Sequence, residues 1–215
     1  MKVTRSSGTA LILFCSAFAV AEESGGHDMD RHMTTMSATH EHHGNAVPVT
    51  YEELTRTAQQ LEAARRATAK YRNVGIAEAD GYHAIGPDVP GMGIHYVQTH
   101  SVHGFDVKRP DILLYEKDAA VPGGYSLVGV SYLLSAEADT DGQPKNPPFP
   151  KSLAPWHRHA DLCLFRDGGV KSDVSDAQCK AEGGRFTALT QWMVHAWIWK
   201  DSPTGVFSPT NPDVR

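Results

Sequence analysis

Apolar residues recur at roughly helical spacing at Leu54, Ala58, Leu61, Ala64, Tyr71 and Val74, forming one stripe. Thr50 with Glu53 three residues on is a capping box, and Glu52 adds negative charge to the first turn. The pattern predicts a helix from Thr50, with a break near Gly75 and a C-terminal cap at Gly81. Its other face carries Arg, Lys, Glu and Gln and reads as solvated, not as a binding surface. After Gly81 the pattern changes to short runs of Val, Ile, Leu, Tyr and Trp punctuated by Gly and Pro. The strands it predicts are Gly93–Thr99, Asp111–Lys117, Tyr125–Ser135, Trp156–Phe165 and Gln191–Lys200. Glu137–Ala154 and Asp167–Gly184 read as long loops, and Asp201–Arg215 as turn-rich. The expected class is α+β: an N-terminal helix or helix pair packed on a mostly antiparallel β-sheet, one domain over residues 48–215.

The chain ahead of this domain has a different character. Residues 22–47 hold Gly, Ser, Thr, Met and His with almost no large aliphatic side chain, so they cannot bury a core and are expected to be disordered. Before them, Lys2 and Arg5 precede an apolar stretch from Ala10 to Val20, then the small-x-small site Ala19-Val20-Ala21. That is the pattern of a cleavable signal peptide over residues 1–21. The run falls short of the ~20 residues a spanning helix needs. Export to the periplasm or medium is expected, with no membrane span after cleavage.

Cleavage would remove Cys15 and leave Cys163 and Cys179, an even number in an oxidising compartment, which predicts a disulfide. The loop of about seventeen residues so closed is worth on the order of 3 kcal/mol. Loss of Lys2 and Arg5 moves the formal charge from −5 to −7. No basic patch suggests nucleic acid as a partner.

Twelve histidines then become the main chemical feature. In the tail, His27, His32, His40, His42 and His43 are interleaved with Met29, Met33 and Met36. Imidazole with thioether favours soft ions such as Cu(I) or Ag(I); the competing interpretation is a solvated low-complexity linker. In the domain, His157 and His159 share one side of a predicted strand with Asp161 and Cys163. His195 shares its side with Met193, Trp197 and Trp199, so it should be buried and in need of a partner. His95 lies beside the glycines of Gly91-Met92-Gly93, and Glu116 ends an apolar strand. These spacings suggest that His95, His157, His159 and His195 gather around one ion, copper or zinc, with Glu116 as a ligand or supporting group. Taken singly, each is better read as a hydrogen-bonded core histidine; it is the His157/His159 pair with another that points to a metal. His83, His100 and His103 are expected at the surface, the latter two as reserve ligands.

Gly-x-Ser-x-Gly, His-Glu-x-x-His and a phosphate-binding glycine loop are all missing from the sequence. A brace on the mature N-terminus would need His where Glu22 stands. The segments Gly91-Met92-Gly93-Ile94-His95-Tyr96, Arg109 to Glu116, Val128-Gly129-Val130, His195-Ala196-Trp197-Ile198-Trp199, Gly205-Val206-Phe207 and Asn211-Pro212 resemble an uncharacterised family of exported bacterial proteins, over roughly residues 60–215. The resemblance implies one folded unit and no particular activity. The tail is similar in composition to those of periplasmic copper- and silver-resistance proteins. The expected function is metal binding in copper or silver homeostasis. A metal-dependent hydrolase or oxidoreductase, with Asp161 or Glu116 as general base, is the first alternative. A ligand- or partner-binding module with a tryptophan-lined pocket is the second.

Overall fold

Thr50 caps the first helix as its sequence predicts: its hydroxyl accepts from the Glu53 amide, and the Glu53 carboxylate accepts from the Thr50 amide at 2.9 Å. In this computed structural model, residues 48–98 and 104–215 are described. The expected signal peptide, the Met/His tail, His100 and His103 lie outside them.

Helix α1 spans Tyr51–Thr68 and runs into a 3₁₀ turn, Ala69–Arg72. Asn73 then starts helix α2, Val74–Ala79, by accepting from the Gly75 amide. The break thus falls at Asn73, whose short polar side chain can cap a new helix, two residues before Gly75. Gly81 follows with φ +91°, the left-handed geometry glycine adopts without penalty. The buried stripe is Thr57, Ala64, Thr68, Tyr71, Val74 and Ala77, whereas Leu54 remains about half exposed.

Five antiparallel strands make the main sheet: β1 (Tyr82–Val89), β2 (Gly93–Gln98), β3 (Ile112–Lys117), β4 (Tyr125–Leu134) and β8 (Trp192–Ala196), adjacent in that order. The second sheet holds β5 (Ala160–Leu164) between β6 (Val170–Lys171) and β7 (Arg185–Leu189), with helix α3 (Asp176–Ala181) beside it. The helix pair packs on one face of the main sheet, where Ala64, Tyr71, Val74 and Ala77 meet Tyr82, Leu113, Tyr115, Val130, Tyr132, Val194 and Trp156. The chain is therefore α+β, with helices on a mostly antiparallel sheet.

The other face carries a smaller core of Ile112, Leu114, Val128, Met193, Trp197 and Val214. Strand alternation puts His95, Ser131 and His195 on this second face, because their neighbours Ile94, Tyr96, Val130, Tyr132, Val194 and Ala196 all point to the first.

Three expectations need correction. Tyr82–Val89 is a strand, despite Gly86 and Pro87. The second loop contains β6 and α3. The predicted strand from Trp156 is regular only from Ala160, and Asp161 within it adopts φ +52°. Cys163 and Cys179 are bonded, with both sulfurs buried between β5 and α3.

Candidate functional site

Four imidazoles meet on the second face of the main sheet. His195, on β8, is the most buried of them, 1% exposed, and its ring neighbours those of both His95 and His157. Its ring centre is 5.7 Å from that of His95 on β2 and 5.3 Å from that of His157. His159 lies 5.3 Å beyond His157. His157 is placed by the outer edge of β8: its amide donates to the Met193 carbonyl at 2.9 Å, and the Met193 amide returns the bond at 2.7 Å. His159 is fixed through its amide, which donates to Thr190 Oγ1 at 3.0 Å, and through its carbonyl, which accepts from the Thr190 amide at 2.9 Å.

β2 and β8 have two strands between them, so a flat sheet would separate them by about 14 Å at the usual spacing. Ring centres only 5.7 Å apart therefore require a sheet that curls, with the two side chains reaching towards each other. Gly129 leaves room for the end of β8 and for Trp197 to pack closely on β4. A Cβ there would stand 2.9 Å from the Ala196 carbonyl oxygen and 3.0 Å from the Trp197 ring.

Each of three rings is held from behind by a main-chain group. His195 Nδ1 lies 2.7 Å from the Pro209 carbonyl oxygen, which makes Nδ1 the protonated nitrogen. His157 Nδ1 makes a longer contact of 3.4 Å with the Pro155 carbonyl, and His95 is hydrogen-bonded to the Gly93 backbone. A carbonyl on one imidazole nitrogen fixes the tautomer and presents the other nitrogen's lone pair. At His195 that second nitrogen, Nε2, is buried and has no hydrogen-bond partner among the described residues. Ser131, directly across the ladder from His195, likewise has a buried hydroxyl without a partner. Thr57, Gln60, Asp88, Gln143 and Arg158 also carry a buried polar atom without a partner among the described residues, but His195 and Ser131 are the two that face each other across one ladder.

Burial is the main cause that keeps these rings neutral. It lowers the pKa of His195 to about 3 and that of His95 to about 4, with repulsion from the neighbouring imidazoles adding to it. His157 is lowered as well, again chiefly by burial.

Two expected members stand elsewhere. The Glu116 carboxylate is taken by Lys200 Nζ, at 2.7 and 2.9 Å from its two oxygens, and lines a separate cavity. A register shift between Leu114 and Tyr115 precedes it on β3. Asp161 is exposed, where its left-handed backbone breaks the expected alternation with His157 and His159. His83 is exposed, as expected, but lies on β1. Trp199 leaves the His195 face after β8 ends, and its indole Nε1 donates to Thr68 Oγ1 at 3.0 Å.

Comparison of the chain with protein-family models, with curated proteins and with solved structures found no match. The cluster therefore has to be judged on its own chemistry. Two imidazoles sharing one ion through bonds of about 2 Å place their ring centres roughly 5 Å apart. The observed separations are slightly larger, and among the described residues no group of three or more His, Cys, Asp or Glu is arranged to hold an ion as it stands. The sequence carried no sign of Ser131 or of the Pro209 carbonyl. Ser131 is an ordinary strand residue there, and a carbonyl belongs to every residue.

Proposed function

We propose that this is an exported metal-binding protein whose domain takes up one transition-metal ion at His95, His157 and His195, with His159 as a further ligand. The observation that carries the reading is the buried, unpartnered Nε2 of His195, on a ring whose Nδ1 is held by the Pro209 carbonyl and whose centre lies 5.7 Å from that of His95 and 5.3 Å from that of His157. Neutral imidazoles are the form that ligates, and burial maintains that form well below neutral pH. Small rotations of the rings about their side-chain torsions would bring the Nε2 atoms to a common point.

Copper is the favoured ion. Imidazole ligands suit copper and zinc alike, and the Met/His-rich sequence ahead of the domain tips the choice towards copper or silver homeostasis. The enzyme reading is weaker, because Glu116 is neutralised by Lys200 and Asp161 faces solvent, leaving the cluster without either proposed general base.

The test is metal analysis of protein recovered from its natural compartment, comparing wild type with His157→Ala, His195→Ala and a chain beginning at Pro48. The reading expects about one equivalent of metal lost in both histidine variants. It expects that equivalent to be retained, with any additional ions lost, in the shortened chain. A wild type no richer in metal than the His195→Ala variant overturns the reading.

A further inference from the structure

A cavity of about 690 Å³ opens between the end of α1, the β3–β4 turn and the segment leaving β8. Its walls divide by chemistry. Val121, Pro122, Leu127 and Val128 supply an apolar side, and Arg65, Arg72 and Lys200 supply positive charge around Trp199.

The charges are unequal in their partners. Lys200 is satisfied by Glu116, and the nearby Asp118 is occupied by the Ser126 hydroxyl at 2.7 Å and the Ala120 amide at 2.9 Å. Arg65 stacks on the Trp199 ring, 4.6 Å from its centre, and donates to the Ile198 carbonyl, a neutral acceptor. Arg72 lies 5.8 Å from the same ring. Among the described residues the Arg72 guanidinium makes no hydrogen bond or ion pair. Two guanidinium charges therefore face one cavity with no carboxylate to compensate them, in a chain of formal net charge −5. A guanidinium fork matches a carboxylate in shape as well as charge.

We propose that this cavity binds a small organic carboxylate with an apolar body. The carboxylate pairs with Arg72 beside the Trp199 ring, and the apolar body lies on Pro122, Val121 and Leu127. The site is separate from the histidine cluster and does not depend on its metal.

Benzoate and its neutral counterpart benzyl alcohol are suitable probes, titrated into the full protein while the indole N–H resonance of Trp199 is followed. Benzoate should shift that resonance saturably. Arg72→Gln, which breaks no hydrogen bond in the fold, should weaken binding by about tenfold or more, as expected for loss of a charged hydrogen bond. His195→Ala should leave benzoate binding unchanged. The proposal is overturned if benzyl alcohol binds as well as benzoate, or if Arg72→Gln binds benzoate as tightly as wild type. It is equally overturned if no saturable shift occurs up to about 10 mM, a range that registers even very weak binding.

Discussion

His195 Nδ1 and the carbonyl oxygen of Pro209 lie 2.7 Å apart, joining the last strand of the main sheet to the C-terminal segment. That segment is itself anchored. Trp197 Nε1 donates to the Ser208 carbonyl at 2.7 Å, and the Asn211 amide donates to the Gly91 carbonyl at 2.8 Å. Asn211 is fully buried and its side-chain amide donates to the Asp201 carbonyl at 3.1 Å. The C-terminal turn thus works as the outer support of a candidate ligand. Asn211→Ala should loosen it and reduce copper or zinc affinity by about 10–100-fold, the usual cost of losing a supporting contact behind a ligand. His195→Ala should cost at least as much. Glu116→Gln should leave affinity unchanged, because that carboxylate is held by Lys200. Calorimetric titration of the three variants checks the ordering, and a loss in Glu116→Gln equal to that in His195→Ala would contradict it.

Acid should weaken the metal-free fold through the same histidines. An imidazole in the unfolded chain titrates near 6.5; in the folded protein His95 is held at about 4 and His195 at about 3 by burial and by the other imidazoles. Between these limits the unfolded chain takes up protons that the folded chain refuses. The stabilising contribution is therefore fully present above about pH 6.5 and is lost as pH falls towards the folded values. Thermal melts between about pH 7.5 and about pH 4.5 should show a falling Tm, with a flatter slope in the His95→Gln/His195→Gln double variant. Parallel slopes for the two proteins would show that other groups carry the acid sensitivity.

Much of this architecture is legible in the chain, and the exceptions have physical causes. The capping box at Thr50 and the glycine at 81 act through neighbours in sequence, so local rules locate them. The burial of His195 follows from Met193 and Trp197 on its own side of the strand, although Trp199, expected there too, turns away to Thr68. Tyr82–Val89 is hidden because Gly86 and Pro87 imitate a turn, and only pairing with β2 reveals it as a strand. Asp161 turns to solvent through a left-handed backbone angle, which strict alternation does not anticipate. Glu116 looks available until Lys200, eighty-four residues later, closes on it. The meeting of His95 with His195 depends on the curl of the sheet, a property of all its strands together.

Gly93 offers a test of how tightly that curl is specified. Its φ is +70°, and a Cβ there would run into the backbone carbonyl oxygen of Tyr115 on the adjacent strand. Backbone cannot move aside as a side-chain tip can. Gly93→Ala should cost about 3 kcal/mol or more, combining conformational strain with the clash. Gly81→Ala is the matched control: φ there is +91°, but nothing lies within 4 Å of the added carbon, so only about 1 kcal/mol of strain is expected. Urea denaturation of both variants checks this. Gly93 is also two residues from His95 and supplies its backbone hydrogen bond, so Gly93→Ala should weaken metal binding as well, whereas Gly81→Ala should not.

The disulfide supports the second sheet, from whose central strand the chain reaches back to His159 and His157. Gly184 lies against it. A Cβ on Gly184 would run into Cys163 Sγ and would stand 3.0 Å from Cys179 Sγ. Gly184 also donates its amide to the Cys179 carbonyl at 2.9 Å, so the backbone there has little freedom to withdraw. Reduction of the wild type should cost about 3 kcal/mol, from the loop that the bond closes. Gly184→Ala should be destabilised by about 1–3 kcal/mol while oxidised, the usual cost of overpacking a filled site. Once the sulfurs separate they can move off the new methyl group, so reduction should cost the variant less than it costs wild type. Thermal melts of both proteins, with and without reductant, give the four corners of this cycle. Strictly additive effects would place the methyl group away from the sulfurs and refute the packing described for Gly184.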